Sequence, residues 1–104
     1  MSANRAPRIL QQGMPPPKEG DILKQVRDYL RLKGWLVYRI QQGIGAHKGM
    51  SDLVAVKAGQ VLFIEVKTRT GRLSAYQETF KAEVESQGVQ YVVARSVDDM
   101  RALA

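Results

Sequence analysis

The chain of 104 residues has no cysteine, a single histidine (His47) and only four prolines. Without cysteine there is neither a disulfide framework nor a thiolate zinc site, and one histidine has no partner for an imidazole-based one. That usage fits a reducing compartment, and the expectation is a cytoplasmic protein, or one of the host cytoplasm if virus-encoded. No apolar run approaches the roughly 18 residues of a membrane span. The first residues carry Arg5 and Arg8 but lack an apolar signal core, which argues against secretion. Three of the prolines stand together at Pro15-Pro16-Pro17, which favours extended polyproline II and excludes a helix. Residues 1–17 therefore read as a flexible, basic and Pro-rich tail, and 18–104 as one small domain near the size at which a single core suffices. Acid is the scarcer charge, 10 Asp and Glu against 16 Lys and Arg, and the net charge of +6 favours polyanionic partners.

Apolar residues at Ile22, Val26, Tyr29 and Leu30, widened by Leu23 and Leu32, predict an amphipathic helix over 19–33. Glu19 and Asp21 in its first turn and Arg31 and Lys33 in its last suit the helix dipole, and Gly34 ends it. Trp35–Ile40 reads as a short strand, and 41–51 as a loop with Gly43, Gly45 and Gly49. Glycines let backbone approach a ligand closely, so His47 and Lys48 beside Gly49 are candidate phosphate contacts; His47 is equally a plain solvated loop residue. Residues 74–87 predict a second helix, with Ser74 and Gln77 at capping-box spacing and Tyr76, Phe80 and Val84 as its buried stripe. Tyr91–Ala94 is continuously apolar, as in a strand buried on both faces, and 97–103 reads as a terminal helix capped by Ser96. The order is α-β-β-β-α-β-α. It implies an α/β domain with a mixed four-stranded sheet, an antiparallel meander followed by a helical crossover, and helices on the sheet faces.

The chemistry concentrates between 51 and 67. Ser51–Val56 and Leu62–Lys67 are strand-like runs joined by Lys57-Ala58-Gly59-Gln60. A two-residue loop at Ala58-Gly59, or a four-residue loop over 57–60, sets Val56 opposite Val61, Val54 opposite Phe63 and Asp52 opposite Glu65, with Lys67 on the same face. A three-residue loop with Gly59 as a bulge would pair Asp52 with Ile64 instead. Two opposed carboxylates repel unless a cation joins them, and hard divalent ions prefer oxygen ligands. A lysine beside such an ion can orient the attacking water or offset charge growing on a phosphate. The bland alternative is a surface ion pair at a hairpin end. Downstream, Arg69 and Arg72 join Lys67 as three cations in six residues, placed to contact a nucleic-acid backbone.

Asp52 followed by Glu65-Val66-Lys67 resembles the signature of the PD-(D/E)XK nuclease superfamily, and the chain as a whole resembles its VRR-NUC branch, the virus-type replication-repair nucleases. Glu19 on the first helix, Lys33–Arg39, Lys48–Asp52, Leu73–Gln77 and Gly88–Ser96 each resemble a segment of that family, together about residues 19–100. Ser51 stands where the motif has proline. The resemblance implies a restriction-endonuclease-like fold and a Mg²⁺- or Mn²⁺-dependent endodeoxyribonuclease. It implies that Asp52, Glu65, the Val66 backbone carbonyl and Glu19 hold the metal, that Lys67 positions the water, and that Gln77 attends the site. Branched DNA such as a four-way junction is the substrate it implies. Two coordinated cuts at a junction require two sites, so a homodimer is expected, with Ile44, Met50, Met100 and Leu103 as spare apolar residues for an interface. The alternatives are a non-catalytic nucleic-acid-binding module and a monomeric nicking or flap-type nuclease.

Overall fold

The computed structural model describes residues 15–43 and 45–103. Helix α1 (Glu19–Leu32) leads into strand β1 (Leu36–Arg39); β2 (Leu53–Lys57) and β3 (Gln60–Val66) follow as a hairpin. Helix α2 (Ala75–Ser86) then crosses to β4 (Gln90–Ala94), and a short α3 (Asp98–Arg101) closes the chain. The sheet order is β1-β2-β3-β4, antiparallel through the first three strands and parallel between β3 and β4. This is the mixed four-stranded α/β architecture implied by the sequence.

The hairpin resolves the register. Ala58 and Gly59 both take left-handed φ, 51° and 80°, so a two-residue turn closes on the Lys57–Gln60 pair. That turn matches the twist of the flanking strands, which offsets the poor fit of alanine at its first position. The ladder then runs through Val56–Val61 and Val54–Phe63 to Leu53–Ile64. The three-residue alternative, with Asp52 against Ile64, is excluded.

With a strand period of two, the sheet has two different faces. Val37, Leu53, Ala55, Leu62, Ile64, Val66 and Ala94 point to one side, where Ile22, Val26 and Leu30 of α1 and Met100 of α3 cover them; all are at most 3% exposed. Leu32 is outside this stripe and 81% exposed: it lies two positions past Leu30, about 200° round the helix. Met100 is fully buried and Leu103 packs against the core, so neither is spare for an interface; Ile44 lies outside the described residues. The terminal helix is shorter than 97–103. Its entry is fixed by the Asp99 carboxylate, which accepts the Arg95 N–H at 2.8 Å, rather than by a Ser96 side chain.

The other face is covered only in part. Phe80 of α2 meets Phe63 edge-on at 5.2 Å and Tyr91 at 6.1 Å, which roofs β3 and β4. Leu36, Tyr38 and Val61 on the β1–β2 side stay 40–59% exposed. Because β4 is an edge strand, Val92 and Val93 are half-buried, and the expectation of burial on both faces holds fully only for Tyr91 and Ala94. Glu65 and Lys67 belong to this second face, beside the N-terminus of α2.

Candidate active site

The register carries Asp52, one residue before β2, to the position facing Glu65 near the end of β3. Asp52 Oδ2 accepts the backbone N–H of Val66 at 2.8 Å. One bond therefore fixes the aspartate and brings the Val66 backbone to the site. Ser51, fully buried, donates its hydroxyl to the Leu53 carbonyl at 3.0 Å. Where the family motif has proline, this bond pins the backbone on both sides of Asp52.

Glu65 is only 3% exposed. Its Oε2 accepts from the Gln77 side-chain amide at 2.8 Å and faces Lys67 Nζ at 3.5 Å. Its Oε1 is buried without a hydrogen-bond partner. Burial, then the charge of Asp52, push the Glu65 carboxyl up to about 7, against the opposing pull of Lys67. An orphaned buried carboxylate oxygen next to a second carboxylate is a donor set suited to a hard divalent cation.

Gln77 makes both sets of contacts open to it. Its N–H donates to Ser74 Oγ at 3.2 Å and its Oε1 accepts the Ser74 N–H at 2.8 Å, a complete capping box. Its remaining amide group reaches Glu65. The N-terminus of α2 is thus tied to the carboxylate it serves.

The glycine loop forms the opposite wall. A cleft of about 310 Å³ is lined by Gln42, His47, Lys48, Gly49, Met50, Asp52, Glu65, Tyr76 and Gln77. Gly49, at φ 86°, lies so close to α2 that an added Cβ would stand 2.2 Å from the Tyr76 carbonyl oxygen; only glycine fits both the backbone angle and the space. The Gln42 amide donates to the Met50 carbonyl at 3.2 Å and more weakly to that of Ser51 at 3.4 Å, bracing the loop from its other end. Tyr76 is not in the buried stripe of α2: it is 58% exposed, with Lys48 Nζ 5.0 Å from its ring centroid. The close contact is between backbones, which leaves the ring on the cleft rim.

Other sites named from the sequence are less central. Glu19 is exposed in the first turn of α1 and is the weakest of the charges acting on Glu65. Among the described residues no three acidic or histidine side chains form a cluster able to hold an ion by themselves, so Asp52 and Glu65 are a pair and Glu19 stands apart from it. Arg69 and Arg72 are exposed in the turn after β3 and do not line the cleft. That turn is held by Arg95, which donates to the carbonyls of Thr68 and Gly71 at 2.7 Å each. Arg95, Gln42 and Ser51 were not singled out for these roles in the sequence, because each acts through a backbone carbonyl. The only signal for them is a polar residue inside or beside a strand end. Tyr91, read as strand filler, buries a hydroxyl that has no partner, and burial and then the Glu65 charge push its pKa up.

The sheet, its helical crossover and the paired carboxylates on adjacent strands define a restriction-endonuclease-like α/β domain. A solved structure described as a VRR_NUC domain superposes with a TM-score of 0.72 over 82% of this chain and 91% of that one, at 23% identity. The sequence model of the VRR-NUC domain matches residues 17–98, and the chain belongs to that family of nuclease domains. A UPF0102 protein of Synechococcus sp. (strain JA-3-3Ab) is 45% identical over 47 residues, which cover 45% of this chain and 34% of that protein. The match thus spans about a third of that relative's length.

Proposed function

We propose that the chain is a divalent-metal-dependent endodeoxyribonuclease that recognises DNA by its structure and cuts branched forms such as four-way junctions. The observation that carries this reading is the buried Glu65 carboxylate, with one oxygen unpartnered, beside Asp52 and Lys67. A pure binding module has no use for two acids that repel phosphate and destabilise the fold.

Asp52, Glu65 and the Val66 carbonyl would hold the ion, Mg²⁺ or Mn²⁺, with Glu19 reaching it through water. Such an ion supplies Lewis acidity at the phosphodiester and eases ionisation of the attacking water. Gln77 holds Glu65 Oε2, which would leave the unpartnered Oε1 available to such an ion. Lys67, 14% exposed and 3.5 Å from Glu65, is sheltered enough to orient the nucleophilic water and to balance charge as it grows on the phosphate. His47 and Lys48 at the cleft, with Arg69 and Arg72 beyond it, would grip backbone phosphates. So small a domain has little surface for reading bases, so shape selects the substrate. A homodimer would supply the second cut that a junction requires.

The test is cleavage of labelled duplex, single-stranded, flap and four-way substrates with Mg²⁺, Mn²⁺ or chelator, alongside light scattering with and without junction DNA. Metal-dependent paired cuts near the branch by a dimer are expected. A monomer that makes one cut would correct the reading to a nicking or flap-type enzyme. Tight binding with no cleavage under any metal would make it a binding module.

A further inference from the structure

We propose that the slot between the glycine loop and α2 is a nucleobase site, which takes an unpaired base next to the phosphate being cut. Tyr76, then Thr79 and Phe80, then Glu83 recur three and four residues apart, so they form one stripe along α2. Opposite that stripe lies the loop segment bearing His47 and Lys48, and the space between them is about 360 Å³. This is within the size range of small-ligand sites. The slot and the acidic cleft are neighbours: His47, Lys48 and Tyr76 line both. A base in the slot would therefore lie beside a phosphate placed over Asp52 and Glu65.

The lining selects a flat, aromatic guest with polar edges. Three rings surround the space, with His47 tilted 54° to Phe80 at 6.1 Å and Tyr76 more than half exposed. Exposed aromatic faces with a cation beside them, here Tyr76 and His47 with Lys48, are among the means by which proteins hold single-stranded nucleic acid. Glu83 adds a carboxylate that can accept from ring or exocyclic N–H groups, and Lys48, over the Tyr76 ring, offers its charge to the flanking phosphate. A base stacked and paired in a duplex has no free face to offer. The slot thus favours strands with an unpaired or easily flipped base beside the scissile bond: flaps, single strands and branch points. The word scissile rests on the nuclease reading; occupancy of the slot does not.

Binding is tested with oligonucleotides that carry 2-aminopurine at successive unpaired positions, with chelator present so that no strand is cut. Stacking on the slot rings quenches the fluorescence at one or two adjacent positions. An abasic residue at the quenched position weakens binding about tenfold, the scale of one base–aromatic stack. Tyr76→Ala loses both effects and Tyr76→Phe keeps them. Thr79→Trp, which fills the slot from an exposed helix position, also loses them. Circular dichroism checks that each variant folds. Uniform fluorescence at every position, or equal affinity for intact and abasic strands, overturns the proposal even if the chain cleaves DNA. Quenching that depends on Tyr76 in a chain that never cleaves would leave the slot standing and remove the nuclease reading.

Discussion

On one face of β3, Leu62, Ile64 and Val66 are at most 2% exposed and meet α1 across a wholly apolar contact. On the other, Phe63 packs under α2 while Glu65 and Lys67 come together beside its first turn. The two sets alternate along one seven-residue strand and the residue just after it, Lys67. Glu65 is almost as buried as Ile64, yet it lowers stability where Ile64 adds to it. A buried, half-satisfied carboxylate is costly, and it persists because the apolar face opposite is complete enough to hold the strand in place. Stability and chemistry are thus separated by one residue step and joined by the backbone.

Neighbouring substitutions should break apart along that line. Asp52→Asn and Glu65→Gln should abolish metal-dependent cleavage, and Lys67→Ala should lower it at least ~100-fold, the scale of losing a positioned proton-transfer or charge-stabilising group. All three should fold, by circular dichroism. Full activity in a folded Asp52→Asn protein would remove the acids from the mechanism. Ile64→Ala, one position from Glu65, should instead destabilise by about 2–5 kcal/mol, the usual loss for emptying a filled core site. Denaturant titration reads this directly, and any cleavage defect at low temperature should follow the unfolded fraction.

The same contrast has a pH signature. The folded-state pKa of Glu65 is raised from 4.5 to about 7. The protonated form is the one the fold prefers, so its share of stability is complete below about pH 4.5 and is lost as pH rises through 7. A shift of that size corresponds to about 3 kcal/mol at most. The metal-free protein should therefore melt at lower temperature at pH 8 than at pH 5.5. Glu65→Gln should flatten the difference and raise Tm at pH 8. Mg²⁺ should raise Tm at pH 8 in the wild type but not in Glu65→Gln. A wild-type Tm that climbs from pH 5.5 to 8 without metal would show that the carboxylate is better compensated than its surroundings suggest.

Much of this arrangement was legible in the sequence, and the exceptions share a cause. Turn chemistry left two registers open, and the strand period favoured Asp52 opposite Glu65 because that register gathers three charged side chains on one face; the left-handed Ala58-Gly59 turn decides it. Glycine and the helix-period stripe set the bounds of α1 and α2 within a residue or so. Tyr76 was misread because the 3.6-residue pattern reports which side of a helix is apolar, not whether another segment reaches it. Met100 was misjudged because a helix of four residues has too little periodicity to orient. Gln42, Ser51 and Arg95 act on carbonyls brought near by folding, and backbone partners leave no trace in residue type.

Gly49 tests whether the two walls of the cleft act as one. Gly49→Ala adds a Cβ against the Tyr76 carbonyl at a left-handed φ, so either the loop or the first turn of α2 must move. Displacing α2 carries Gln77 away from Glu65. The expected result is a fall of up to about 100-fold in kcat, the scale of misplacing a group without removing it, with a loss of Tm. A variant with unchanged kcat would show that the loop alone yields and that Gln77 keeps its hold.

The smallest effects should come from the exposed cations outside the cleft. Arg69 and Arg72 sit in the turn that Arg95 fixes by its carbonyls, so their backbone is held while their side chains face solvent. Fixed backbone with free cationic side chains suits contact with phosphates, which lie at regular spacing whatever the sequence. Replacing either by Gln should leave Tm and metal dependence alone and weaken binding to unrelated sequences by similar factors. The slope of log K against log salt should fall by about one unit for each cation lost. Lys48→Gln should do the same and, being at the cleft, also raise KM. The distinguishing measurement is Arg95→Gln, whose side chain is spent on carbonyls rather than phosphate. If the turn matters as a platform, Arg95→Gln should weaken binding and leave little further effect for Arg69→Gln or Arg72→Gln. Additive losses would show that the two arginines contact DNA whether or not the turn is fixed.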